Sequence, residues 1–260
     1  MSQKADQKAE ARAVALVTGG TGAIGSRVCR LLAESGSDIV FGYRSNTAAG
    51  DALLAELRGL GVEASAHRVD LGDASAAADF VAAAAEVSGR IDVLVHAGGP
   101  TVPQQYASTV GPELFHRHLV DEVGAFFNLV SPALRHLRLS HGAIVAVTTV
   151  AVRRFPVKDV LSSAPKAGIE ALIRAIAKEE GRFGVRANAV GPGILGDGMA
   201  AALEANGHWD PAHQDAVLRS IPLRRFGGAQ EVAEVVAFLA SERAGYVSGQ
   251  VIDVDGGYGL

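Results

Sequence analysis

Glycines are concentrated in the segment Thr18–Gly25, which directly follows the apolar run Ala13–Thr18. Gly20, Gly22 and Gly25 satisfy the pattern G-x-G-x-x-G where a predicted strand gives way to a predicted helix. Glycines let the backbone approach a pyrophosphate closely, and the free N–H groups and dipole of the helix attract it. The segment therefore predicts a dinucleotide-binding turn, and a simple glycine-rich tight turn is the alternative.

Arg44 follows the second predicted strand, Ile39–Tyr43, at the position where a dinucleotide's adenosine ribose is recognised. An acidic residue there would hydrogen-bond the ribose diol and repel a 2′-phosphate. The string Arg44-Ser45-Asn46 contains no carboxylate, and a guanidinium can bind a phosphate through two hydrogen bonds. We therefore expect NADP(H) to be preferred over NAD(H). The alternative for Arg44 is a solvated surface charge.

The elements that must position these residues alternate along the chain. Short apolar runs without strict alternation are typical of parallel strands covered on both faces, and longer helical patterns separate them. We expect a single-domain α/β fold, a Rossmann-type doubly wound parallel sheet over residues 13–260, preceded by a flexible tail at 1–12. Strands are predicted at Ala13–Thr18, Ile39–Tyr43, Ala64–Val69, Ile91–His96, Ala143–Thr148, Val185–Val190 and Val251–Val254. Helices are predicted at Ala23–Ser35, Thr47–Leu60, Ala74–Ser88, Pro112–Leu139 and Pro165–Phe183.

Residues 194–226 break this alternation. The segment is rich in glycine and proline and is longer than an ordinary connection, which is typical of a lid over a substrate site.

Composition restricts the classes of partner. The net charge is −4 and the basic residues are scattered, which argues against a nucleic-acid or anionic-membrane partner. No stretch approaches the length of a membrane span, and the N-terminus has no apolar segment of a secretory signal, so we expect a cytoplasmic protein. Cys29 is the only cysteine and is predicted to be a buried, inert thiol. We predict no metal site.

The combined motifs resemble those of the short-chain dehydrogenase/reductase family over roughly residues 12–260. That family's T-G-x-x-x-G-x-G is matched by Thr18, Gly19 and Gly25, with Ala23 in place of one glycine. Asn188–Gly193 is similar to the family's segment beside the nicotinamide, and Gly249–Gly257 to its closing strand. The resemblance implies a dimer or tetramer. It implies cofactor contacts by Gly19, Thr21, Gly22, Ile24, Gly25, Arg44, Asp70, Leu71, Ala97, Gly98, Lys166, Pro192, Gly193 and Leu195.

The catalytic positions depart from the family pattern, which uses a Ser, a Tyr-x-x-x-Lys and an Asn. Alignment on Lys166 places Ser162 at the tyrosine, Thr149 at the serine and Asp121 at the asparagine. His96-Ala97-Gly98-Gly99 replaces the family's N-N-A-G. Thr149 can supply a hydroxyl, but Ser162 is a far weaker acid than a phenol with a pKa of about 10. The resemblance thus implies Lys166, Thr149, Ser162 and Asp121 as catalytic candidates.

The string Ser162-x-x-x-Lys166 is similar to the 2,4-dienoyl-CoA reductase branch of the family. There the serine and lysine hold the nicotinamide, and an acid from elsewhere protonates the substrate. Asp121 is our first candidate for that acid, and the others are Asp159, His96, Tyr106 and a water bound to Lys166. For Asp159 and Tyr106 the alternative is an ordinary surface loop. For Ser162 and Ser163 the alternative is the N-cap of a helix that starts near Pro165.

Two hypotheses of function follow from these residues. The first is an NADP(H)-dependent oxidoreductase that reduces a carbonyl or enoyl group of an acyl-thioester-like or ketone substrate. Overall the sequence resembles 3-oxoacyl reductases, whereas the Ser-x-x-x-Lys string favours reduction of a C=C bond. The second hypothesis is a catalytically silent NADP-binding subunit with a regulatory or scaffolding role, favoured by the altered residues at 96, 121 and 162.

Overall fold

The structure is a computed structural model that describes residues 12–197 and 211–260, excluding the side chains of 211–213. The strands are β1 (Val14–Thr18), β2 (Asp38–Tyr43), β3 (Ala64–Arg68), β4 (Val93–His96), β5 (Ala143–Val147), β6 (Arg186–Pro192) and β7 (Val251–Val254). They form one sheet in the order β3-β2-β1-β4-β5-β6-β7, and every neighbouring pair is parallel. The predicted doubly wound fold is confirmed. β2 and β3 follow one another on one side of β1, whereas β5, β6 and β7 follow one another on the far side of β4. The strand order therefore reverses between β1 and β4, and a crevice is expected at the carboxyl ends of these two strands.

Helices cover both faces of the sheet. They are α1 (Ala23–Glu34), α2 (Thr47–Gly59), α3 (Ala74–Ser88), α4 (Pro112–Leu119), α5 (Ala125–Ser140), α6 (Ala151–Arg154), α7 (Val160–Glu180), α8 (Pro211–Ser220) and α9 (Ala229–Ala240). A π-helical turn, Val120–Gly124, joins α4 to α5. Short 3₁₀ turns lie at Ala107–Thr109, Gly181–Phe183 and Glu242–Ala244. None of the helices described at 12–197 and 211–260 is long and apolar enough to cross a bilayer.

Two hydrophobic cores lie on opposite faces of the sheet. On β1, Ala15 and Val17 pack into the core beneath α1, α2 and α9, whereas Val14 and Leu16 pack beneath α3, α5 and α7. Burial on both faces explains why the strands are apolar at successive positions. Cys29 is fully buried in the first core, as predicted, and this burial raises the pKa of its thiol to about 12.

The start of α7 differs from the prediction. The helix begins at Val160, so Ser162 and Ser163 lie inside it and the N-cap interpretation of either serine is wrong. The amides of Ser162 and Ser163 donate to the carbonyl oxygen of Asp159 at 3.0 and 2.9 Å. Pro165 has no N–H group and cannot donate a helical hydrogen bond. Leu161 and Pro165 are both buried, and their packing stabilises the helix where this bond is missing.

Parts of two predicted segments lie outside the described residues. These parts are 1–11 of the predicted tail and 198–210 of the predicted lid. Within the described part of the lid, Ile194 and Gly196 exchange backbone hydrogen bonds with Gly227 at 3.0 and 2.9 Å. Residues 211–220 form α8 rather than an extended chain. The lid itself stays a prediction.

Candidate active site

A cleft of about 320 Å³ opens at the carboxyl ends of β1, β2 and β4. The glycine turn after β1 forms one wall, the loops after β2 and β3 form the adenosine side expected from the sequence, and the loop after β4 faces the turn. The sequence-predicted residues that line the cleft are Gly19, Thr21, Gly22, Arg44, Asp70, Leu71, Ala97, Gly98 and Asp121. Tertiary structure therefore brings together residues from five separate segments at the crevice that the strand order predicts.

The glycine turn is shaped for close approach of a ligand to the backbone. Gly19 has φ +68°, and a β-carbon there would lie 2.6 Å from the carbonyl oxygen of Ala97. Gly25 packs directly against Gly19, and the amide of Gly22 donates to the carbonyl oxygen of Gly19 at 2.9 Å. Gly22 supplies no side-chain cap to α1, so the first-turn N–H groups remain available to an anion. These features fit a pyrophosphate.

Arg44 is exposed on the rim of the cleft between Tyr43 and Ser45. Its backbone carbonyl accepts a hydrogen bond from Arg68 Nε at 3.1 Å, which ties the loop after β2 to the end of β3. No carboxylate among the described residues pairs with the Arg44 guanidinium. The position expected to read the ribose thus carries a positive charge that is available to a phosphate.

Lys166 and Ser162 lie one turn apart on α7 and therefore share a face of the helix. The Lys166 ammonium forms an ion pair with the carboxylate of Glu122, whose side chain is 1% exposed. Thr149 follows β5, and its hydroxyl oxygen accepts a hydrogen bond from the Ala151 amide at 3.2 Å. Lys166 is therefore held in place from the side of the π-helical turn.

Glu122 is the functional candidate that sequence reasoning missed. The alignment favoured its neighbour Asp121, but the structure places Asp121 exposed on the cleft wall, near Gly72 on the adenosine side. The difference arises at the π-helical turn, where the i→i+5 repeat alters which side chains face α7. The sequence contains no signal that separates Glu122 from its acidic neighbour Asp121.

His96 ends β4 and is buried at 2% exposure beside the cleft. Its Nδ1 lies 3.1 Å from Thr18 Oγ1, whereas its Nε2 has no hydrogen-bond partner within the described part of the chain. Burial, together with the positive charge of Lys166, lowers the pKa of His96 to about 4. The ring is therefore neutral near pH 7, and an imidazolium is not the ready source of a proton at that pH.

The remaining predicted cofactor residues lie outside the cleft lining. Pro192 ends β6, and Gly193 packs so closely on Asp255 that a β-carbon would lie 2.6 Å from the Asp255 Cα. Leu195 packs against the core beneath α1, and Ile24 is partly buried on α1. These contacts brace the segment after β6 against the chain that follows β7.

Comparisons with known proteins identify the family of this chain. A family model described as enoyl-(acyl carrier protein) reductase matches residues 20–259. The 3-oxoacyl-(acyl-carrier-protein) reductase FabG of Staphylococcus epidermidis is 30% identical, over 94% of this chain and 97% of that protein. A short-chain type dehydrogenase/reductase from Mycobacterium ulcerans superposes with a TM-score of 0.89 at 26% identity, over 95% of this chain and 90% of that one. The chain belongs to the short-chain dehydrogenase/reductase family.

A further similar solved structure contains NADPH. A variant of actinorhodin polyketide ketoreductase with NADPH superposes with a TM-score of 0.87 at 29% identity, over 95% of this chain and 97% of that one. The chain is thus an oxidoreductase of the short-chain family with a single Rossmann-type fold, consistent with dependence on NAD(P).

Proposed function

We propose that this chain is an NADP(H)-dependent reductase of a carbonyl or enoyl group in an acyl-thioester-like or ketone substrate, with an active site that lacks the family's tyrosine. The observation that carries the proposal is the cleft that joins the glycine turn to the Arg44 guanidinium, which pairs with no carboxylate in the described part of the chain. The 3-oxoacyl reductase and the ketoreductase among its relatives support the substrate class. When bound, the dinucleotide supplies the hydride.

Each group has a distinct task in this proposal. The glycine turn and the start of α1 bind the pyrophosphate, and Arg44 binds the 2′-phosphate. Asp70 and Leu71 border the adenine. Lys166 binds the nicotinamide ribose and is oriented by Glu122. Thr149 orients the substrate oxygen. Pro192, Gly193 and Leu195 support the nicotinamide.

Titration with NADPH and then with NADH, followed by cofactor fluorescence, tests this function without a known substrate. We expect NADPH to bind more tightly, and NADPH oxidation to occur with at least one probe from a set of ketones, 3-oxoacyl thioesters and enoyl thioesters. Binding of neither cofactor, or equal affinity for both, would contradict the proposed cofactor. NADPH binding without oxidation by any of these probes would contradict the proposed reaction.

The Arg44→Ala variant should lose the preference for NADPH. A hydrogen-bonded charged group contributes about 1.5–3 kcal/mol, so the Kd for NADPH should rise about 10- to 100-fold, while the Kd for NADH stays unchanged. Arg243→Ala is the matched control, because Arg243 is exposed in the turn after α9 and is not one of the residues that line the cleft. An unchanged Kd for NADPH would show that Arg44 is an ordinary surface charge, and an equal loss of affinity for both cofactors would contradict its role at the 2′-phosphate.

The second candidate function, a silent NADP-binding subunit, is favoured by Ser162 at the tyrosine position. The Ser162→Tyr variant distinguishes the two, with Ser162→Phe as the control for added bulk at this buried position. Under the proposed function, the wild-type chain itself oxidises NADPH with one of the probes. Turnover that appears only in Ser162→Tyr would instead show that the natural chain has lost its acid.

We also propose a homo-oligomer, a dimer or tetramer as in its relatives, without a nucleic-acid or membrane partner. Size-exclusion chromatography with light scattering measures the number of subunits. The cytoplasmic location expected from the sequence stays a prediction.

A further inference from the structure

Asp159 is the N-cap residue of α7 and lies in the same turn as Ser162. Its backbone carbonyl accepts the amide of Ser162 at 3.0 Å and the hydroxyl of Ser163 at 3.0 Å. The side chain of Ser162 lies close enough to this carboxyl to act on its pKa, although among the described residues neither carboxyl oxygen forms a hydrogen bond of ordinary geometry with it. Ser163 is therefore committed to the backbone, whereas Ser162 lies beside the carboxyl of Asp159.

The carboxyl of Asp159 has only part of the hydrogen bonding that an ionised group requires. Oδ1 accepts a long hydrogen bond from Gln104 Nε2 at 3.4 Å. Oδ2 is buried from solvent and, among the residues described, has no hydrogen-bond partner. An ionised carboxylate is an acceptor at both oxygens, but a protonated carboxyl needs fewer donors. Asp159 is therefore half-buried, although it lies in the loop that leads into α7.

The pKa of the Asp159 carboxyl is higher than that of an ordinary aspartate, because burial outweighs the effect of the surrounding charges. Burial raises the pKa of Asp159, although Gln104, Ser162 and the positive charge of Lys166 act in the opposite direction. The Lys166 ammonium is paired with Glu122, which offsets its charge. The Lys158 ammonium lies 5.0 Å from the centre of the Tyr106 ring.

We propose that Asp159 is the proton source of this active site and that Ser162 passes the proton to the substrate. The inference rests on the proposed reductase function. In the reduction of a ketone, the carbonyl carbon accepts the hydride that the bound cofactor supplies, and the C=O electron pair moves to oxygen. That oxygen takes the proton of the Ser162 hydroxyl, and Ser162 takes the proton of the Asp159 carboxyl. The Asp159 carboxylate then regains a proton from water.

The other candidate acids are placed less favourably. Asp121 lies on the adenosine side near Gly72, and His96 is neutral near pH 7. Tyr106 is 54% exposed in a loop, as the sequence alternative predicted. Asp159 alone among these four is in the same helical turn as Ser162. A carboxyl is also a far stronger acid than the serine hydroxyl, which on its own could not replace a phenol.

A carboxyl titration tests the proton-holding role independently of turnover. Apo protein labelled with carbon-13 at the aspartate side-chain carboxyls is titrated by NMR from about pH 3 to about pH 9, across the normal aspartate range. One carboxyl should titrate above the others in the wild-type chain and in Asp79→Asn, and be missing in Asp159→Asn. Asp79 is the matched control because it is an exposed aspartate on α3. Absence of a raised carboxyl in wild type, or its persistence in Asp159→Asn, would overturn the proposal.

Kinetics give the second readout, with a probe that the wild-type chain reduces. Asp159→Asn should bind NADPH with a Kd within about twofold of wild type, whereas hydride transfer should slow by about 100- to 10,000-fold. Asp159→Glu should recover part of the rate. Loss of NADPH binding along with the rate, or an unchanged rate, would overturn the proposal. If wild type reduces no probe, the proposed function fails, while the titration still decides whether Asp159 holds the proton.

Discussion

Lys166→Ala should lower both the conformational stability of the chain and its affinity for NADPH. The lysine is paired with a carboxylate on Glu122 that is 1% exposed, so removal of the ammonium leaves a buried charge without its partner. Breaking a buried ion pair from one side costs about 3–5 kcal/mol. Loss of a charged hydrogen bond to the nicotinamide ribose should raise the Kd for NADPH by about 10- to 100-fold. Denaturant unfolding and cofactor fluorescence measure the two effects.

Controls separate the local ion pair from a general effect on α7. Lys178→Ala makes the same change at an exposed position of this helix and should alter neither quantity appreciably. Adding Glu122→Gln to Lys166→Ala should recover much of the lost stability, because the unpaired carboxylate is then gone, but it should not recover cofactor affinity. A Lys166→Ala variant with wild-type stability and NADPH affinity would contradict both the ion pair and the assigned role.

Gly19→Ala should disrupt the dinucleotide turn. The residue has φ +68°, and the added β-carbon would lie 2.6 Å from the backbone oxygen of Ala97, so the main chain itself has to move. The left-handed conformation alone costs a non-glycine residue about 1–2 kcal/mol. A shifted turn misaligns the N–H groups that meet the pyrophosphate. NADPH affinity should therefore fall by about 100-fold, which corresponds to the loss of one or two charge-assisted hydrogen bonds.

Gly59→Ala is the comparison for Gly19→Ala. Gly59 ends α2, and a β-carbon there would meet no atom within 4 Å. This variant should be as stable as wild type, or more stable by up to about 1 kcal/mol, because alanine restricts the unfolded chain more than glycine does. Isothermal titration with NADPH and thermal unfolding of both variants give the comparison. Wild-type cofactor affinity in Gly19→Ala would mean that the turn does not bind the pyrophosphate.

The cofactor half and the proton-transfer half of this protein differ from each other. The glycine turn and the loops after β2, β3 and β4 keep the arrangement expected of a dinucleotide cleft. The sequence predicts departures from the family pattern at residues 96, 121 and 162, and the structure adds a buried Glu122 paired with Lys166. The proposed relay through Asp159 and Ser162 changes the route of the proton and leaves the cofactor cleft as it is.

The sequence by itself determined the fold class, the glycine turn and the presence of a cation directly after β2. These features depend on local patterns: apolar runs at strand length, glycine at a strand-to-helix junction, and the side chain that follows β2. Strand ends were predicted to within about two residues, as expected when boundaries depend on hydrogen bonds that the apolar pattern does not encode.

Only the tertiary structure decided which acidic residues lie beside Lys166 and Ser162. The π-helical turn directs Glu122, not Asp121, toward Lys166, and its i→i+5 repeat leaves no regular signature in the sequence. The start of α7 at Val160 puts Asp159 and Ser162 in one turn, although Pro165 suggests a later start. Both outcomes depend on packing between segments that are distant in the chain, because side-chain burial and ion pairing across elements override local helix signals.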